Sequence, residues 1–86
     1  MIEILFKPSF IKQLNKLEDG LVEEVFAKIE LFKNPKNHSA LKVHKLHGVL
    51  KGSLSFSVNY KTRIVFEYVS KTEVALLSIG DHDIYN

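Results

Sequence analysis

Between Ser53 and Tyr60 the chain reads SLSFSVNY, a strict two-residue alternation with Leu54, Phe56, Val58 and Tyr60 on one side and Ser53, Ser55, Ser57 and Asn59 on the other. Only an extended strand sorts such a set into two faces; a helix would spread the apolar residues around its circumference. The segment therefore predicts a half-buried strand whose apolar face needs a covering layer. RIVFEYV repeats the pattern, with Ile64, Phe66 and Tyr68 opposed to Arg63, Val65, Glu67 and Val69, and TEVALLSIG is apolar enough to be the most buried strand of the set. Upstream, LKVHKLHG predicts a short strand ending at Gly48, and a first strand runs from Ile2 to Phe6 before Pro8 ends it.

The covering layer is readable between the first strand and the second. Phe10, Ile11, Leu14 and Leu17 recur at helical spacing with Lys12, Gln13, Asn15 and Lys16 opposite them, which predicts an amphipathic helix opened by Pro8 and Ser9. Asp19 and Gly20 break it, and Asp19 reads as the cap of a second helix with Leu21, Val22, Val25, Phe26, Ile29 and Phe32 on its apolar face. Glu23 and Glu24 near its start and Lys33 at its end suit the helix dipole. Asn34 and Pro35 stop it, and NPKNHSA reads as a loop. The order β-α-α-β-β-β with short turns implies one α+β domain over residues 1–86, its two helices packed on one face of a mainly antiparallel sheet. The opposite face is then expected to present Ser55, Ser57, Asn59, Arg63 and Glu67 to solvent.

Charge narrows the functions such a face can serve. The net charge is only +2, but no acid occurs from Leu31 to Phe66, where Lys33, Lys36, Lys42, Lys45, Lys51, Lys61 and Arg63 make +7. The other five cations and all ten acids lie outside that window and sum to −5. A segregated basic surface is an electrostatic target for a polyanion. The chain has no cysteine, so neither disulfides nor thiolate metal sites support its small core, and no run of about 20 apolar residues exists to span a bilayer. A cytoplasmic location without membrane attachment is the expectation.

The residue types left for chemistry favour acid–base work. His44 and His47 are three apart in a segment that reads as extended, where their side chains diverge, so a metal chelate is not expected and no cofactor is implied. RNA carries its own nucleophile in the 2′-hydroxyl, and its cleavage needs a proton acceptor, a proton donor and a cation on the phosphate, with no metal. His44 and His82 can share the proton transfers, Arg63 can grip a phosphate through its planar fork, and Tyr85 can stack on a base. Read structurally, the same residues are two surface histidines, an Arg63–Glu67 charge pair and an aromatic that anchors the tail.

The KPSFIKQLNKL helix, the LHGVLKGSLSFSVNYKTRIVFEY core and the closing SIGDHDIY resemble the RelE/ParE toxin superfamily of bacterial type II toxin–antitoxin modules, across essentially the whole chain. Within it the pattern is similar to the YafQ-like mRNA-interferase branch, with a histidine ahead of a leucine and a glycine before the long hairpin, and a last strand ending in glycine, any residue, histidine, with an aromatic soon after. Those positions are His44, His82 and Tyr85 here, and Arg63 stands where RelE-type toxins place a phosphate-binding arginine. The resemblance implies an endoribonuclease that cuts mRNA on the ribosome and is neutralised by a cognate antitoxin protein, with SIGDHDIY as part of its active site. Lys42, Lys45, His47, Lys51 and Lys61 are the expected RNA-backbone contacts. Ser57 and Lys61 occupy positions where that branch has a further histidine and an aspartate. The competing expectation is a non-catalytic relative, either a ParE-like inhibitor of DNA gyrase or an inactive antitoxin-binding protein.

Overall fold

The computed structural model describes residues 1–46 and 52–81. In chain order its elements are β1 (Glu3–Phe6), α1 (Pro8–Leu14), α2 (Asp19–Phe32), a 3-10 turn (Pro35–Asn37), β2 (His44–Lys45), β3 (Leu54–Ser57), β4 (Thr62–Tyr68) and β5 (Glu73–Asp81). The strands form one sheet in the order β1-β5-β4-β3-β2. The pairings from β2 through β5 are antiparallel, while β1 runs parallel to β5, with Glu3 opposite Glu73 and Phe6 opposite Leu76. This is the α+β arrangement expected from the sequence, with the two helices supplying the covering layer.

Alternation places the core. Phe10 and Leu14 from α1 and Val25, Ile29 and Phe32 from α2 pack on Phe56, Ile64, Phe66, Val74, Leu76 and Ile79 from the sheet. Phe32 lies at the centre, stacked on Phe56 at 4.4 Å between ring centroids and edge-on to Phe66 at 4.8 Å. The His38 ring also stacks on Phe32, at 4.6 Å, and His38 Nε2–H donates to the Phe32 carbonyl at 2.9 Å. His38 is thereby a structural residue, closing the turn after α2.

One irregularity reorients β5. Val65 pairs with Ser78 but Phe66 pairs with Leu76, so Leu77 is an extra residue on β5. The bulge changes parity: Val74 and Leu76 enter the core before it and Ile79 after it. The strand's other edge is open there, because β1 ends beside Leu76. Two side chains of α1 take its place: Ser9 Oγ donates to the Leu77 carbonyl at 2.6 Å, and Ile79 N–H donates to Gln13 Oε1 at 2.8 Å.

Several boundaries differ from expectation. Helix α1 stops at Leu14, so Leu17 packs from the connecting turn; Ile11, within α1, is exposed while Phe10 and Leu14 face the core. The cap of α2 is Glu18, with no side-chain bond, and both Asp19 and Gly20 lie inside the helix. The alternation of SLSFSVNY outlasts the strand: β3 ends at Ser57, because Asn59 Oδ1 accepts from the Lys61 and Thr62 amides and turns the chain. Val58 still reaches the core, but Tyr60, expected on the same face, is 91% exposed. β2 is only His44–Lys45, and Gly48, expected to end it, lies outside the described residues.

Candidate functional site

The sheet face turned away from the helices carries the residues that chemistry singles out. Cross-strand partners point to the same side, so the register defines two rows. His44, Ser55, Val65 and Ser78 form one; Ser57, Arg63 and Gly80 form the next. His44 and Arg63 thus share a face, separated by two strand spacings, about 10 Å, and by two residues along the strand. Lys42 joins the second row from the side, since the neighbouring Leu41 carbonyl accepts from Ser57 N–H at 2.8 Å.

His44 has a defined orientation. Its Nδ1 lies 3.0 Å from the Lys42 carbonyl, which can only accept, so Nδ1 carries the hydrogen and neutral His44 exposes the lone pair of Nε2. The Lys42 backbone that offers this carbonyl is in the left-handed region, with φ 58°. For a residue with a β-carbon this conformation costs about 1–3 kcal/mol. The turn that strains Lys42 is the one that fixes the imidazole.

Arg63 was expected either on a phosphate or paired with Glu67, and the pair does not form. In a strand four residues span about 13 Å, and Glu67 instead accepts from Ser53 Oγ at 3.1 Å. Among the described residues, the Arg63 Nη1 atom is buried without a hydrogen-bond partner, and so is Ser55 Oγ. The polar face is therefore not the solvated surface expected: Ser55 is fully buried, Ser57, Asn59 and Arg63 are half-buried, and among those five only Glu67 is exposed. A strand's alternation assigns sides but does not say what covers each side.

Beside Arg63 opens a cleft of about 360 Å³ whose walls include Lys28 of α2, Lys42, Ser57, Asn59, Tyr60 and Arg63. Three cations line it, and none of the described carboxylates does. Lys28 lies outside the acid-free window and was not singled out from sequence, although it is the one cation among the four acids of α2. That exception was the available signal. Glu24, one turn before Lys28 on α2, accepts from Asn59 Nδ2 at 3.2 Å and ties the helix to the β3–β4 turn.

Of the other expected contacts, Lys61 is exposed in that turn. Lys45 is exposed on β2 but pairs with Leu54, which puts it on the opposite side of the sheet from His44. His47, Lys51, His82 and Tyr85 lie outside the described residues. The strand that leads toward His82 is described to Asp81, opposite Thr62, with Gly80 beside Arg63. Among the described residues no group of three or more His, Asp or Glu side chains converges as a metal site, and no helix is long and apolar enough to cross a membrane.

The sequence matches no protein-family model and no curated protein. Solved structures do match it over nearly its whole length. The toxin–antitoxin complex RelBE2 from Mycobacterium tuberculosis contains a chain that superposes with a TM-score of 0.70 at 18% identity, covering 94% of this chain and 98% of its own. The YoeB–YefM toxin–antitoxin complex from Staphylococcus aureus gives 0.71 at 20% identity, covering 95% and 98%. YafQ from Escherichia coli gives 0.70 at 12% identity, covering 98% and 97%. The chain has the fold of these toxins, as its sequence resemblance to RelE/ParE proteins implied.

Proposed function

We propose that this protein is the toxin of a type II toxin–antitoxin pair and that it acts as an endoribonuclease, cutting mRNA on the ribosome by metal-independent acid–base catalysis. The observation that carries the reading is a face holding an oriented histidine and an unpaired arginine. His44 has its Nδ1–H tied to a carbonyl and its Nε2 free to accept, and Arg63 keeps Nη1 buried with none of the described residues bonded to it. Buried polar atoms without partners are rare, and a catalytic role or a bound ion is among the reasons a fold keeps one. The fold shared with RelE, YoeB and YafQ toxins supports the same reading.

In this mechanism His44 Nε2 accepts the proton of the 2′-hydroxyl as that oxygen attacks the adjacent phosphorus. Arg63 holds the non-bridging oxygens, where negative charge grows. The bond to the 5′-oxygen breaks, His82 supplies the proton that this oxygen needs, and the products are a 2′,3′-cyclic phosphate and a 5′-hydroxyl. Tyr85 orients the base, and Lys42, His47, Lys51 and Lys61 contact the backbone, whereas Lys45, on the opposite side of the sheet from His44, is given no contact. A net charge of +2 is small for gripping RNA unaided, so the ribosome is assigned the task of presenting the message. The partner that restrains the activity is a cognate antitoxin.

The test is cleavage of message in a translation extract against cleavage of the same RNA free in solution. The expected result is cutting on the ribosome and little off it, with DNA gyrase unaffected. Intact message together with inhibited gyrase would assign the protein to the ParE-like alternative, and equal cleavage of free RNA would remove the ribosome from the mechanism.

A further inference from the structure

We infer that the cleft between α2 and the β3–β4 turn is a second phosphate subsite, in which Lys28 and Lys42 hold an RNA phosphodiester next to the one held by Arg63. The inference rests on the ribonuclease reading, but its main readout, binding of an RNA that cannot be cut, is separate from catalysis.

The cleft has the chemistry of an anion site. Lys28, Lys42 and Arg63 line about 360 Å³ of space, and none of the described carboxylates shares its walls. Three like charges around one cavity repel one another, an arrangement that an entering anion relieves. The carboxylate one turn away on α2, Glu24, accepts from Asn59 and forms no ion pair with Lys28. Among the described residues only Lys33 and Glu30 form an ion pair, and that pair is at the C-terminal end of α2.

The position points to a chain of phosphates. Arg63 belongs both to the row beside His44 and to the wall of the cleft, so a strand whose reacting phosphate lies on Arg63 can place a neighbouring phosphate in the cleft with Lys42 and Lys28. Lys42 is placed for this by the same turn that orients His44, since its carbonyl accepts from the imidazole while the residue lines the cleft. Lys28 comes from a different layer of the fold and is held relative to the turn by the Glu24–Asn59 bond. Continuity with the Arg63 row favours RNA over the carboxylates of an acidic protein segment.

The probe is a short single-stranded RNA with every 2′-hydroxyl methylated, which the enzyme cannot cut, titrated at several salt concentrations against the purified protein. For single strands the logarithmic salt slope falls by about 0.7 for each phosphate that the protein no longer neutralises. Lys28→Gln and Lys42→Gln are each expected to lower the slope by about that amount and to weaken binding by about three- to tenfold near 0.1 M salt. Lys71→Gln, in the β4–β5 turn away from the cleft, is expected to change neither. Thermal midpoints equal to wild type show that the variants are folded. A wild-type slope in Lys28→Gln alongside a reduced slope in Arg63→Gln would overturn the subsite and leave the catalytic reading standing. If instead Lys28→Gln weakens binding of an acidic antitoxin segment but not of RNA, the cleft belongs to the protein partner and the proposal is wrong. If Arg63→Gln cuts message at the wild-type rate while Lys28→Gln shows the reduced slope, the catalytic reading fails and the anion site remains.

Discussion

On the helix-facing side of the sheet, Phe56 and Phe66 close around Phe32 with ring centroids 4.4 and 4.8 Å from it, whereas on the other side the same two strands bury Ser55 Oγ and Arg63 Nη1 with none of the described residues bonded to either. Strands β3 and β4 thus build two surfaces of opposite character from alternate residues. The first gains stability from the apolar area it buries. The second retains polar atoms whose desolvation costs about 1–3 kcal/mol each when unpaired. In a domain with a total stability of about 5–15 kcal/mol, such a cost is conspicuous. On the proposed function, one face serves folding and the other the ligand, and substitutions on each should then read out differently.

The largest effect is expected at the centre of the dry face. Phe32 is fully buried and touches two other phenyl rings and His38. Phe32→Ala should cost about 3–5 kcal/mol, enough to lower the thermal midpoint by well over about 10 °C in a domain of this size. Calorimetry or thermal denaturation followed by circular dichroism measures it. A loss below about 1 kcal/mol, well under the usual cost of emptying a phenyl site, would mean that the two-helix layer is not what holds the sheet.

The polar face should show the reverse division. His44 is exposed, and its imidazole bonds to a neighbouring backbone carbonyl, so His44→Ala should change stability by less than about 0.5 kcal/mol. Cleavage should fall by about 10² or more if the imidazole transfers a proton. His82→Ala is expected to behave in the same way. Single-turnover cleavage of ribosome-bound message is the measurement, and wild-type rates in both variants would return the two histidines to surface residues.

These contrasts follow how far each face was legible in the sequence. The dry face was readable because its pattern is local: period two in SLSFSVNY and RIVFEYV, and helical spacing from Phe10 to Phe32. The bulge at Leu77 was not, because it depends on Ser9 and Gln13 meeting β5 across 68 and 66 residues of chain. The start of α2 was misplaced because its cap makes no side-chain bond. For the polar face, residue type alone nominated His44 and Arg63, but only the register shows that they share a side of the sheet. Lys28 escaped notice because the cleft gathers charge from two layers, while a charge window follows a single stretch of chain.

The smallest overall effect is expected at Ser55, where the two faces can be compared within one side chain. Its Oγ is buried, flanked across the sheet by His44 and Val65, and makes no hydrogen bond among the described residues. If the hydroxyl were there for folding, removing it would weaken the protein. An unpaired buried hydroxyl should do the opposite, so Ser55→Ala is expected to be neutral or stabilising by up to about 1 kcal/mol. Ser55→Val adds volume beside Val65 and should cost about 1–3 kcal/mol through overpacking, which separates the effect of polarity from that of space. Denaturant titration of both variants provides the stabilities. A destabilised Ser55→Ala would show that the hydroxyl has a partner in the folded protein and would remove Ser55 from the contrast. A stable Ser55→Ala whose cleavage has fallen would mark the hydroxyl as one more group held for the ligand, next to the imidazole and in the row beside the guanidinium.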